Sequence, residues 1–207
     1  MDKGSKIVSY LFAIVIVASF TTSTCMGIET KPLEAAKPSA AALEFLRACC
    51  NTSKYVSECY DSLLPNAESF NGNHIKVAAA ATDILVSHLE AFLGELRHLN
   101  STTTEYTLGG CIKFADASLN MSKEWSAKLK RLEAVRDGKL DEKAKGYAAK
   151  WIEKVTNKFD ECTMDLGNIF NTGDVLPHER IALDFTYIAQ GLVNGIPLTT
   201  AVAPASA

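Results

Sequence analysis

Six cysteines carry most of the chemistry open to this sequence: Cys25, Cys49, Cys50, Cys59, Cys111 and Cys162. None forms a C-x-x-C redox pair, and none stands with histidines at a zinc-binding spacing. Cross-linking is the chemistry left to them. Cys25 falls at the end of an N-terminal leader, described below, so five remain: two pairs and one spare. Counting does not assign the pairs. Cys49 and Cys50 are adjacent, and adjacent cysteines rarely bond each other because the peptide between them must distort. In the chain-entropy model a bridge from Cys50 to Cys59 would contribute about 2.5–3 kcal/mol, and one from Cys111 to Cys162 about 4 kcal/mol.

Other reactive constellations are sparse. The nucleophile elbow G-x-S-x-G, the phosphate-binding loop, the dinucleotide glycines and H-E-x-x-H are all missing. Glu95 and His98 form an E-x-x-H of the kind di-iron bundles use. Those sites need a second such pair and two further inward glutamates. His74, His88 and His178 supply no second pair, so neither metal nor cofactor is expected. Asp141-Glu142 and Asp160-Glu161 read as solvated charges rather than catalytic carboxylates. Three N-x-[ST] sequons, at Asn51, Asn100 and Asn120, are glycosylation candidates. Asn100 is the best placed, between two expected helices. Asn51 is cramped beside Cys50, and Asn120 falls mid-helix, where it must face water.

These residues must be positioned by helices. Ala, Leu, Lys and Glu dominate the middle of the chain, with no alternating Val and Ile runs. Residues 1–27 read as a cleaved signal peptide: Lys3 and Lys6, an apolar run from Ile7 to Phe20, then small polar residues. The run is short of the ~20 residues a bilayer span needs, and no later stretch is read as a span. The net charge of −3 and the lack of a basic stripe in the sequence exclude nucleic acid as a partner. Residues 28–38 form a flexible lead with two prolines. Residues 39–196 form the domain, and 197–207 a flexible tail.

Within the domain, residues 39–65 read as a helical hairpin. Ser39 caps its first helix, and Cys50 and Cys59 bracket a short polar turn, a pattern that a single staple fits. Four amphipathic helices then occupy residues 70–195. Ile75, Ala78, Thr82, Leu85, Leu89, Phe92, Leu96 and Leu99 step by three and four. A second stripe runs from Leu108 through Cys111, Ala115, Ser118, Ser122, Trp125 and Leu129 to Leu132, in a helix over about 103–132. A third helix spans about 141–171, with Trp151, Phe159 and Cys162 inward. Asp174 caps the fourth, which has Pro177 in its first turn and Ile181, Phe185, Ile188 and Leu192 on its apolar face. Both tryptophans read as core. The expected fold class is all-α: an up-down-up-down four-helix bundle preceded by a disulfide-stapled N-terminal helical hairpin. Antiparallel packing would bring Cys111 and Cys162 to one level.

The pattern Phe45-Leu46, then Cys50-x-Thr52-x-x-Tyr55-x-x-x-Cys59-x-x-x-Leu63, resembles the opening motif of the plant invertase/pectin methylesterase inhibitor domain. The stretch Ala148 to Leu166, with Asp160-x-Cys162-x-x-x-Leu166 inside it, is similar to the motif that carries the last family cysteine. The resemblance spans about residues 39–195. It implies bridges Cys50–Cys59 and Cys111–Cys162 and leaves Cys49 as the free thiol. The chain departs from the family pattern at Val56, where a proline is common. It departs again in Ile112-Lys113-Phe114-Ala115, where acidic residues and a tyrosine are common, and in Gly138-Lys139-Leu140, where invertase-directed members often have Pro-Lys-Phe.

The resemblance implies a secreted, monomeric, non-catalytic inhibitor of the apoplast or cell wall. Pectin methylesterase is the first target and acid invertase the second, blocked one-to-one by the central part of the bundle. Lys113, Asp116 and Lys139 are the target-binding candidates. A small-ligand or lipid carrier is the rival reading, on the hint of space at Ala115, Ser118 and Ser122.

Overall fold

A computed structural model describes residues 37–102, 108–135, 138–169 and 177–199. The chain is all-helical there. In order come α1 (Ala40–Cys50), α2 (Val56–Leu63), a 3-10 turn (Leu64–Asn66), α3 (Ala67–Phe70), α4 (His74–Thr102), α5 (Leu108–Val135), α6 (Glu142–Ile169) and α7 (Pro177–Gly195). The expected leader, most of the lead, the caps and stops at 136–137 and 171–174, and the end of the tail lie outside the described residues.

Local chemistry explains the helix starts. Ser39 Oγ accepts the Ala42 N–H at 3.2 Å, capping α1. Asn73 Oδ1 accepts the N–H groups of Ile75 and Lys76 at the start of α4. Asp141 Oδ1 accepts the Ala144 N–H at 2.7 Å, so Asp141 caps α6 rather than opening it. The one-turn helix α3 has no periodic signature in the sequence. It buries Phe70 and sends Glu68 back to accept the Ser39 N–H at 2.8 Å. Asn71 and Gly72 then turn the chain with positive φ into α4.

The helices form a bundle whose centre is α4. It packs against α5 on one side and α7 on the other, and α6 packs against α5 and α7. Phe92 of α4 and Phe159 of α6 stack across the core with centroids 5.7 Å apart. The α4–α5 seam is edged by ion pairs at a seven-residue repeat on α4: Lys76–Glu133, Asp83–Lys130, Glu90–Lys123 and Arg97–Asp116. Their descending partners make the two helices antiparallel. Each half-exposed pair contributes only about 0.2–1 kcal/mol, but together they fix one register.

Four sequence expectations need amending. By length and composition α4, with an 18-residue stretch of mean hydropathy 1.3, is long and apolar enough to cross a membrane. Its packing on two helices and its row of ion pairs make it a core helix instead. α4 also runs on to Thr102, so Asn100 lies in its last turn rather than between helices. In α7 the inward face holds Phe185, Ile188 and Leu192 as expected, but it also takes in Ala182 and Ala189, and Ile181 is exposed. Alanines escape a reading that looks only for large apolar residues. Finally, residues 197–199, read as tail, are pinned. Leu140 donates to Pro197 O and Thr199 donates to Leu140 O, both at 2.9 Å, in a single parallel bridge. Gly138, with φ 68°, lets that turn approach Asn73 Cα; a Cβ there would lie 3.2 Å from it.

α7 carries Gly191 and Gly195 where the hairpin meets it. A Cβ on Gly191 would lie 2.5 Å from Ser53 Cα and Thr52 O, whereas a Cβ on Gly94 of α4 would meet nothing within 4 Å. Gly191→Ala is therefore expected to destabilise the protein by about 1–3 kcal/mol through overpacking. Gly94→Ala is expected to stabilise it by up to about 1 kcal/mol through helix propensity. Urea denaturation of the two variants checks both signs.

Candidate functional site

The stapled hairpin is the most constrained feature around which a function can be built. Cys50 ends α1 and Cys59 lies in the first turn of α2. Their Cα atoms are 5.7 Å apart and the sulfurs are bonded. Both are buried. The turn between them seats on α7. The Thr52 hydroxyl lies 2.7 Å from Cys49 O and 2.8 Å from Gly191 O, so its one proton serves two carbonyls. Lys54 Nζ rides over the Tyr187 ring of α7 at 4.7 Å and over Tyr55 at 5.3 Å. The sequence signal for this docking is Gly191-x-x-x-Gly195, which lets backbone approach backbone and which helix periodicity does not reveal.

The second bridge joins Cys111, near the start of α5, to Cys162, late in α6, with Cα atoms 4.8 Å apart. Cys49 is the free thiol and is buried. It borders a cavity of about 70 Å³, lined also by Ala48, Thr52, His74, Leu192 and Gly195. Burial pushes its pKa up to about 11. The thiol is therefore held in its unreactive form.

The expected target-binding residues do not form one patch. Lys113 and Asp116 lie near the start of α5. Lys113 is exposed, and Asp116 accepts from Arg97 at 3.4 Å and from Asn120 Nδ2 at 3.3 Å. Lys139 is exposed beyond the other end of α5. At 1.5 Å of rise per residue, the 22 steps from Lys113 to the end of α5 at Val135 cover about 33 Å. Asn51, Asn100 and Asn120 are all exposed, Asn51 as the residue closing α1. The Ser122 of the Asn120 sequon is fully buried, so a glycan at Asn120 must be added before the helix packs.

Trp125 and Trp151 are buried and stack at 5.6 Å, with Tyr147 against Trp125 at 5.7 Å. Lys128 Nζ covers Tyr147 at 3.6 Å. Lys143, Lys150, Lys154 and Lys158 share the flank of α6 that carries Tyr147, by helical spacing. The helix thus assembles a basic row that the linear sequence hides.

Glu95 and His98 do not act together. His98 is exposed, while Glu95 Oε1 lies 3.7 Å from His178 Nε2 of α7. Glu179, next to it, is buried, and burial raises its carboxyl above the usual range; the Thr163 hydroxyl of α6 offsets this by hydrogen bonding, and Glu95 adds to it by repulsion. Among the described residues no group of three or more His, Cys, Asp or Glu side chains is arranged to hold a metal ion.

No protein-family model matches the chain, and no solved structure matches it. An uncharacterized protein of rice, Oryza sativa subsp. japonica, is 32% identical over 176 residues, covering 78% of each chain. The chain belongs to the same family as that rice protein. The match is long enough to take in most of the helical domain, and that relative carries no stated activity.

At pH 8 a thiol with a pKa near 11 is about one part in a thousand thiolate. Iodoacetamide at that pH is expected to leave Cys49 unmodified in the folded protein over hours and to label it once the chain is unfolded. Intact-mass spectrometry reads the difference; rapid labelling of the folded form would contradict the buried placement.

Proposed function

We propose that this protein is a secreted, non-catalytic inhibitor of a cell-wall carbohydrate-active enzyme, most closely fitting pectin methylesterase, with acid invertase as the second target. In this reading the four long helices form an up-down-up-down bundle, the hairpin is a rigid appendage on it, and the whole acts as a wedge that occludes an enzyme cleft one-to-one. The cysteine framework carries the proposal: a hairpin stapled at Cys50–Cys59, a long helix pair tied at Cys111–Cys162, and a spare Cys49 kept inert. That is the framework the resemblance to the inhibitor domain implies. Two disulfides also accord with an oxidising, extracellular setting.

Rigidity supports the same reading. A protein that binds a preformed cleft loses least when its own surface is already ordered. Cross-links, the Thr52 clasp on α7 and the ion-paired α4–α5 seam all reduce the freedom that binding would otherwise remove. The separation of Lys113 and Asp116 from Lys139 divides the surface between two ends of α5, so one enzyme cleft would engage one end and not both.

A carrier bundle is favoured by one observation. The Ser118 and Ser122 hydroxyls and the indole N–H groups of Trp125 and Trp151 are buried with no hydrogen-bond partner among the described residues. Native mass spectrometry of the secreted protein would show a bound small molecule if these groups line a ligand site.

The deciding experiment is inhibition. The disulfide-intact protein, titrated against a plant pectin methylesterase and an acid invertase at pH 5 and pH 7, is expected to abolish one activity near one molar equivalent. Charge reversal at Asp116 or Lys113, compared with Lys139→Glu, then identifies the working end. Full activity of both enzymes at tenfold excess would reject the inhibitor reading.

A further inference from the structure

Two histidines left over from the metal search meet at the junction of α4 and α7. His88 Nδ1 and His178 Nδ1 are 3.2 Å apart, with ring centroids at 5.4 Å. At that distance one ring nitrogen must carry a proton and the other a lone pair. The network assigns which. His178 Nε2 faces Glu95 Oε1 at 3.7 Å, so His178 keeps its proton on Nε2 and accepts at Nδ1. His88 is then the donor at Nδ1. Phe185 stacks on the His88 ring at 5.8 Å. The titratable groups meeting here are His88 and Glu95 from α4 and His178 and Glu179 from α7; α6 contributes the Thr163 hydroxyl to Glu179.

We propose that this pair is a proton-counting latch that fastens the first turn of α7 to α4, closed with no added proton or one, and open with two. With none added, the Nδ1–H···Nδ1 bond stands. With one, His178 Nδ1 takes the proton, placing the charge between His88 and the Glu95 carboxylate. His88 passes to its Nε2–H tautomer, so the bond is retained with its direction reversed, His178 Nδ1–H donating to His88 Nδ1. With two, both Nδ1 atoms are donors, and two cations face each other at contact distance.

The direction follows from linkage. Burial first, and His178 second, lower the His88 pKa from 6.5. A base with a depressed folded pKa contributes stability that is complete above its unfolded pKa and is lost as pH falls from about 6.5 toward the folded value. The latch thus opens on the acid side. Glu179 has the opposite sign. Its raised pKa gives a contribution present below 4.5 and lost as pH rises through the folded value. Acid therefore relaxes the buried carboxyl and cannot open the junction through it.

Hydrogen exchange on the full, disulfide-intact chain between pH 7 and pH 4 tests the latch. The amides of residues 181–184, which bond to carbonyls of the first turn of α7, are the reporters. After correction for intrinsic exchange, their protection is expected to fall at least tenfold below pH 6 relative to the middle of α4. His178→Gln and His88→Gln are expected to abolish that step. Equal loss across both helices, or the same step in both variants, would overturn the proposal. Should the variants fail to fold, the wild-type histidine Cε1–H resonances decide. The His88 step is expected to lie on the acid side of 6.5; a His88 step at or above 6.5 would refute the coupling.

Discussion

The burial of α4 on two sides is the constraint from which the rest of the structure follows. Its core positions, from Ile75 to Leu96, are almost all fully enclosed. One partner helix could not cover so wide an apolar surface, so α5 and α7 must flank it, and α6 closes the remaining gap. Thr82 shows how strict the enclosure is. It stands in the middle of the stripe with no exposure and satisfies its hydroxyl by bonding Ala78 O at 2.8 Å on its own helix. The charged row at Lys76, Asp83, Glu90 and Arg97 then marks where the apolar surface stops and water begins.

The same dependence explains the hairpin. α1 and α2 together are too short to be stable alone, and one disulfide restricts the unfolded chain without supplying a core. Their turn becomes ordered because α7 offers a groove at Gly191 and Gly195, where a side chain would block it. The clasp is made by Thr52, whose single hydroxyl proton is placed between the end of α1 and the C-terminal part of α7. Position of the hairpin therefore rests on α7, and position of α7 rests on α4.

Large-scale order was legible in the sequence because it is written in long periodic stripes. The four long helices, the Ser39 cap and the inward tryptophans could all be read from spacing. What could not be read depends on pairs of residues far apart in the chain. The Gly191–Thr52 contact spans 139 positions, and the His88–His178 contact spans 90. Glu95 looked like half of a local E-x-x-H, but its helical neighbour His98 points to solvent while a histidine from another helix meets its carboxylate. The alanines missed on α7 have a similar cause. Ala182 and Ala189 pack against neighbours only because those neighbours leave little room, and that is a property of α4 and α6 rather than of α7.

The α5–α6 pair shows why the cross-links lie where they do. Ser118, Ser122, Trp125 and Trp151 of these two helices bury polar atoms without partners among the described residues. α5 also begins with Gly109-Gly110, each costing about 1 kcal/mol of helix propensity. Left to side-chain packing alone, the pair would be the first place for the bundle to part. Both of its ends are fastened. Cys111–Cys162 ties the glycine-weakened end covalently. At the other end the Leu140 bridge to Pro197 and Thr199, together with Lys145 Nζ donating to Ile196 O at 3.3 Å, ties the turn to the segment after α7. Between the fastenings the Trp125–Trp151 stack supplies area and dispersion. An interface with secured ends can keep its shape although the buried hydroxyls and indole N–H groups at its middle find no partner among the described residues.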